Sequence, residues 1–242
     1  AISRGAILSG LLFRDRYWPR AGIAIVLTYS LDTTGPNGLD SSEVAMVREA
    51  FRQWSKVANI TFRQSNDRDS DLRIAGEPGT GGGAQTFAIR PGSRAIAYVE
   101  ITIGKGNPSG KGGRFLATAI HEIGHALGLK HPGNYNGRNG SGVGPFVPDS
   151  ADNNTNSVMS YNEVGTQVTS PMAYDIAAVQ SLYGARRTTS GDSFYQFRNA
   201  HSYNSEGSPF IRSKQTLWDS GGRDVVSFAN APYKRGGYLL SG

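Results

Sequence analysis

The chain has 242 residues, with 25 Lys and Arg against 19 Asp and Glu, a formal net charge of +6 and no cysteine. The lack of cysteine excludes a disulfide framework, a thiol nucleophile and thiolate metal ligands. Basic residues such as Arg14, Arg16 and Arg114 are scattered, so we expect a solvated surface and no specific nucleic-acid partner. No apolar run is long enough to predict a membrane span.

The N-terminal half begins with a segment, residues 1–20, that we expect to pack on the main body. The sequence has neither an initiating Met nor the apolar core of a signal peptide, which we interpret as a processed or trimmed product. The β-branched run at 23–29 predicts a buried strand. Asp40, followed three residues later by Glu43, marks the start of an amphipathic helix.

Short apolar runs at 60–62 and 72–74 predict further strands, and the order strand, helix, strand favours a parallel crossover. The runs QTFAIRP and AIAYVEI follow, joined by a short loop with Gly92. This connection predicts an antiparallel hairpin, so one of the two strands should lie at the edge of the sheet.

The segment ATAIHEIGHALGLKH contains the pattern H-E-x-x-H-x-x-G-x-x-H. His121 and His125 lie four apart on one helix face and can both bind one ion. Gly128 can end the helix with a positive φ, which lets His131 supply a third nitrogen. Glu122 would then be the general base for a metal-bound water. Three nitrogens without thiolates predict one catalytic zinc ion with an open coordination position.

Residues 132–156 are rich in Gly, Asn, Asp and Pro, which predicts a long surface loop. SVMSY then covers 157–161, and apolar residues recur at helical spacing in PMAYDIAAVQSLYG, where Gly184 should end the helix. Beyond it, two turn-and-strand units carry acidic residues beside Gly. They predict a small β-rich appendage with oxygen ligands for a hard cation.

These motifs resemble those of the metzincin metalloproteases, and within them the serralysin family. The third His is followed directly by Pro132, SVMSY resembles the Met-turn, and PMAYDIAAVQSLYGA and LWDSGGRDVVSF are similar to serralysin sequence. The resemblance covers about residues 115–229 and is weak before Asp40. Serralysins usually continue into a calcium-binding β-roll of glycine-rich nonapeptides, and we expect most or all of that roll to be lacking here.

The resemblance implies an α+β fold that is α/β-like in its N-terminal part. A metzincin catalytic domain would span residues 1–184, with a mixed twisted sheet, an active-site helix and a helical C-terminal subdomain. Residues 185–242 would be the truncated start of a calcium-binding β-rich region. Met159 would form an apolar floor under the zinc, and Tyr161 would act in catalysis and as a displaceable zinc ligand.

The resemblance also implies at least one structural calcium ion in the C-terminal region. Its ligands would be backbone oxygens and two carboxylates, supplied by Thr189, Gly191, Ser193, Asp219, Gly221 and Asp224. The alternative is a pair of ordinary Asp–Gly turns capped by their own side chains.

The function implied is a secreted, extracellular zinc endopeptidase with bacterial-type secretion, acting on protein or peptide substrates through a zinc-bound water activated by Glu122. Substrate would pair with an edge strand formed by Gln85, Thr86, Phe87, Ala88 and Ile89. We expect a monomer, with a proteinaceous inhibitor as a further partner. Two alternatives stay open, a peptidase of narrow specificity and a catalytically silent module that binds metal or a surface through its basic charge.

Overall fold

The computed structural model describes residues 2–13, 16–19, 24–66, 69–79, 82–105, 113–135, 144–188, 190–196 and 213–227. The chain divides into two compact units, one formed by residues 1–186 with 214–218 and the other by 187–213 with 219–242. The helices of the first unit are α1 (Arg4–Leu11), α2 (Ser41–Val57), α3 (Gly113–Ala126) and α4 (Ala173–Tyr183), with a 3-10 turn at Asp149–Ala151.

A five-stranded sheet forms the centre of the first unit. Its strands are β1 (Ile25–Leu31), β2 (Ile60–Gln64), β3 (Leu72–Glu77), β4 (Gly83–Ile89) and β5 (Ile96–Gly104). The order across the sheet is β2-β1-β3-β5-β4, and only β4 runs antiparallel to its neighbour. The predicted parallel pairing of β1 with β2 and the predicted hairpin of β4 with β5 are both confirmed, and β4 is the edge strand.

Helix α2 begins as its sequence predicts. Glu43 N–H donates to Asp40 Oδ1 at 2.8 Å, and Asp40 N–H donates back to Glu43 Oε2 at 2.9 Å, a reciprocal capping box. The apolar face of α2 includes Phe51 and the fully buried Trp54. The Trp54 indole N–H donates to the Ile120 carbonyl at 3.0 Å, which joins α2 to α3.

Backbone hydrogen bonds join the N-terminal segment to the residues that directly follow α3. We expected this segment to pack on the main body. The Lys130 N–H donates to the Leu11 carbonyl at 2.7 Å, and the Phe13 N–H donates to the Gly128 carbonyl at 3.0 Å. The Trp18 indole N–H donates to the Ala126 carbonyl at 2.8 Å. Residue 23, where the first strand was predicted to begin, lies outside the described residues.

Short strands complete the description: β6 (Gln167–Val168), β7 (Phe194–Gln196), β8 (Ser213–Lys214) and β9 (Val225–Ser227). In the second unit β7 and β9 pair in parallel, with Tyr195 opposite Val226. This agrees with the predicted turn-and-strand units. None of the helices in the described part of the chain has the length and hydropathy needed to cross a membrane.

Candidate metal centre

Helix α3 presents two of the three motif histidines, and the turn that follows it presents the third. α3 ends at Ala126, and Gly128 has φ +102°, a left-handed conformation that favours glycine. A Cβ at Gly128 would also lie 3.0 Å from the Arg16 carbonyl oxygen. The reversal at this glycine brings His131 back to His121 and His125.

The three imidazoles converge through their Nε2 atoms. The Nε2 of His131 lies 3.0 Å from that of His121 and 2.9 Å from that of His125. All three side chains are buried. The Nδ1 atoms of His121 and His125 each lie 2.8 Å from a backbone carbonyl oxygen, of Val158 and Leu129 respectively.

This donor set fits a metal cation. A carbonyl oxygen can only accept, so the Nδ1 atoms of His121 and His125 carry protons and their Nε2 atoms carry lone pairs. A single proton on His131 Nε2 could satisfy only one of these two lone pairs. Burial lowers the pKa of His121 to about 4 and that of His125 well below its usual value, so neutral imidazoles prevail. A cation that accepts the lone pairs satisfies all three nitrogens.

Glu122 lies beside the triad, and its side chain is so close to β4 that the strand residue facing it must be a glycine. The Glu122 side chain is 4% exposed, and no described residue forms a hydrogen bond with its Oε2. A Cβ on Gly83, the first residue of β4, would lie 2.5 Å from Glu122 Cγ and 2.6 Å from Oε1. Burial raises the pKa of Glu122 to about 8. A bound cation would act in the opposite direction and favour the carboxylate.

The segment 157–161 contacts α3. Met159 is fully buried, and a Cβ on Gly124 would lie 2.7 Å from its sulfur, so the thioether packs against the helix between the first two histidines. The Val158 carbonyl contacts His121. The role of Met159 as an apolar floor under the zinc stays a prediction.

Asp175, in the first turn of α4, holds this segment in place. Its carboxylate accepts hydrogen bonds from the Ser157 hydroxyl at 2.6 Å, the Val158 N–H at 2.7 Å and the Met172 N–H at 2.8 Å. Burial raises the pKa of Asp175 to about 6, although the three donors lower it. No motif in the sequence identifies this residue. A carboxylate at the third position of a helix was the only local signal for it.

Tyr161 lies over the triad and is 58% exposed. Its ring stacks on His121 with centroids 5.6 Å apart, and lies 4.3 Å from the ring of His131. Burial, and then the charge of Glu122, raise the pKa of Tyr161, which therefore stays a neutral hydrogen-bond donor.

A second tyrosine, which the sequence analysis did not identify, supports Tyr161. The ring of Tyr135 stacks on that of Tyr161 at 4.8 Å, and its hydroxyl accepts the Tyr161 N–H at 3.1 Å. The same hydroxyl donates to Asp152 Oδ1 at 2.8 Å, and the Ser160 hydroxyl donates to that oxygen at 2.6 Å. Asp152 is 6% exposed, so this network fixes the orientation of the chain around Tyr161.

A cavity of about 350 Å³ opens beside His121 and Glu122. Gly83, Tyr161 and Gln167 also line it. The metal triad therefore adjoins both a cavity and the edge strand of the sheet.

Of the predicted calcium ligands, Thr189 lies outside the described residues. The other five lie in the second unit. The Gly221 N–H donates to Asp219 Oδ1 at 3.0 Å, and the Ser193 N–H donates to Asp224 Oδ1 at 3.1 Å. The Tyr195 hydroxyl donates to Asp219 Oδ2. A Cβ on Gly222 would lie 2.5 Å from the Gly191 oxygen, so the two turns approach each other closely. Among the described residues, the three histidines are the one group of three or more His, Asp or Glu side chains close enough to share an ion.

Comparison with known proteins finds sequence relatives among the metallopeptidases. Residues 18–137 match the family model of the M10 peptidases, described as matrixin. The chain is 32% identical over 222 residues to serralysin C of Dickeya chrysanthemi, covering 81% of this chain and 45% of that protein. It is 30% identical over 223 residues to metallopeptidase AprA of Pseudomonas marginalis, covering 81% of this chain and 46% of that protein.

The chain thus spans somewhat less than half the length of these relatives. The structure of myroilysin aligns with 97% of its own chain and 71% of this one, at 20% identity and a TM-score of 0.47. The likeness to myroilysin carries no weight in relating this chain to other proteins, and the sequence matches do. They show that residues 18–137 match the M10 peptidases and that most of the chain is similar to serralysins. The family and the histidine triad together support zinc as the metal.

Proposed function

We propose that the chain is a zinc-dependent endopeptidase that hydrolyses peptide bonds in proteins, with Glu122 as the general base. The observation that carries this proposal is the buried carboxylate of Glu122 beside three convergent imidazoles, at the mouth of a cavity. His121, His125 and His131 would hold the ion. Bound zinc would polarise the scissile carbonyl and lower the pKa of water.

Glu122 has the chemistry required of the base. Its carboxylate would accept the proton of the attacking water and then deliver a proton to the departing amine nitrogen. The cavity leaves room for substrate beside it, and Gly83 allows β4 to pass close by. A neutral Tyr161 would donate a hydrogen bond to the oxyanion that develops on the carbonyl oxygen. As a displaceable ligand, Tyr161 would alternate between that position and the metal.

Substrate would lie along β4, at residues 85–89. This strand is the last in the sheet, so one row of its peptide groups faces outward. An extended peptide would pair with these groups through main-chain hydrogen bonds. Pairing of this kind would bring the scissile bond near Gly83 and Glu122, where β4 begins.

In the second unit we propose a structural calcium site. The Asp219 and Asp224 carboxylates lie in neighbouring turns with the carbonyls of Gly191, Ser193 and Gly221, an all-oxygen set that suits Ca²⁺. The hydrogen bonds seen at both carboxylates also suit the alternative of self-capped turns. Secretion, a monomeric state and a proteinaceous inhibitor stay predictions drawn from the resemblance.

Substitution of Glu122 tests the proposed function. Glu122→Ala should keep one zinc per chain and lose about 10²- to 10⁴-fold in turnover of casein, because only the base is removed. Zinc is measured by mass spectrometry on the same dialysed samples used for the assay. Glu49→Ala is the matched control, since this carboxylate lies on α2 in a pair with Arg52 and should keep full activity. Unchanged proteolysis by zinc-loaded Glu122→Ala would remove Glu122 from the mechanism.

A further inference from the structure

The guanidinium group of Arg16 lies over two aromatic rings next to the metal triad. The guanidinium carbon of Arg16 lies 4.5 Å from the ring centroid of Phe13 and 4.7 Å from that of Phe87. These two rings meet edge to face, with centroids 6.1 Å apart. The Phe13 ring is also 6.3 Å from the ring of His125. A single aromatic ring therefore separates the charge of Arg16 from the triad.

Arg16 lies at the opposite end of β4 from the cavity. Gly83 and Phe87 are four residues apart, so both face the same side of the strand and lie about 13 Å apart along it. The cavity borders Gly83 and His121, whereas the aromatic pair borders His125. A peptide extended along β4 from the cavity would pass Arg16.

The guanidinium is available to bind an anion. Among the ion pairs of the described residues, none involves Arg16. The two rings meet edge to face, so the planar guanidinium can lie parallel to one of them at most. The N–H donors that neither ring faces match the two oxygens of a carboxylate. Contact with two rings also limits the side chain to few rotamers, so binding costs less conformational entropy.

We propose that Arg16 forms a subsite that selects an acidic side chain, Asp or Glu, in the substrate. This inference rests on the proposed peptidase function and on substrate pairing with β4. At about 3.3 Å per residue of extended chain, the acidic residue would lie roughly two to four residues from the scissile bond.

The test compares quenched fluorescent peptides of one parent sequence with Glu, Gln or Lys at each of four positions on both sides of the cleaved bond. At one position the wild-type protein should cleave the Glu peptide about 3- to 10-fold faster, in kcat/KM, than the Gln peptide. High salt should reduce this preference. Arg16→Gln should abolish it and keep the rate on the Gln peptide, and Arg16→Glu should reverse it in favour of Lys.

Arg63→Gln is the matched control, because this exposed arginine lies on β2, at the other edge of the sheet. It should keep the preference for Glu. If wild type and Arg16→Gln share the same preference, or if Arg16→Gln slows all peptides equally, the inference is wrong and Arg16 is a packing residue. If the wild-type protein cleaves no peptide at all, the proposed peptidase function fails instead.

Discussion

Two regions of this chain carry side chains of types that can bind metal ions, and they differ in how the protein satisfies their polar atoms. At the triad, burial and two backbone carbonyls leave imidazole lone pairs directed at one another. In the turns of the second unit, the carboxylates of Asp219 and Asp224 already accept hydrogen bonds from N–H groups of the same unit. The first arrangement requires a cation, whereas the second is complete as a pair of turns and would gain from one. Ligand atoms that converge where no protein hydrogen-bond donor satisfies them therefore indicate a metal site more strongly than a ligand motif does.

The largest effect expected from this comparison follows loss of one triad nitrogen. His125→Ala should lose both zinc and measurable proteolysis, because two nitrogens hold the ion too weakly. Zinc per chain after dialysis and casein hydrolysis are the two measurements. His201→Ala, which changes the one histidine outside the motif, is the matched control and should keep both. Stoichiometric zinc in the His125→Ala protein would show that the ion binds elsewhere.

A smaller effect is expected from the carboxylate that supports the triad indirectly. Asp175→Asn should lower the free energy of unfolding by about 1–3 kcal/mol, because an amide cannot accept from all three buried donors. Zinc affinity should fall by about 10-fold or more as the Val158 carbonyl shifts away from His121. Urea unfolding and chelator competition measure these two effects. Glu100→Gln, at an exposed strand carboxylate, should change neither.

The difference in stability between the wild-type protein and Asp175→Asn should depend on pH. Because the pKa of Asp175 is raised to about 6 in the folded chain, the folded state keeps a proton there between about pH 4 and 6 that the unfolded state releases. The stability of the wild-type protein relative to Asp175→Asn should therefore fall as pH rises through about 6 and level off above it. A constant difference across this range would mean that the three hydrogen bonds outweigh burial and keep the carboxylate charged.

The smallest effect is expected in the second unit. If calcium binds there, adding it to the zinc-loaded protein should raise the melting temperature by a few degrees in a concentration-dependent way. Asp219→Ala should remove this response and leave proteolysis at its calcium-free level. Magnesium, which prefers a strict octahedral site, is the control ion. No response to calcium in either protein would leave only capped turns.

Much of the fold follows from local sequence. The capping box of Asp40 and Glu43, the hairpin of β4 and β5 and the glycine at which α3 ends depend on residues close together in the chain. Helical periodicity likewise places His121 and His125 on one face without any tertiary contact. These features could be predicted because each obeys a short-range rule of backbone geometry.

Other features depend on contacts between residues far apart in sequence. Val158 supplies the carbonyl that orients His121, and Asp175 holds that carbonyl from a different helix. In the sequence, Arg16 is one of many scattered basic residues. In the structure, its guanidinium lies over the ring of Phe87, a residue of the edge strand.

The motif alone identifies the residues able to bind the metal, because ligand spacing on a helix is a local property. The groups that orient these residues, the glycine that allows the edge strand to pass Glu122 and the charge beside the triad are set by long-range contacts. Those choices depend on how buried polar groups are satisfied across the whole chain, and no short-range pattern in the sequence encodes that pairing.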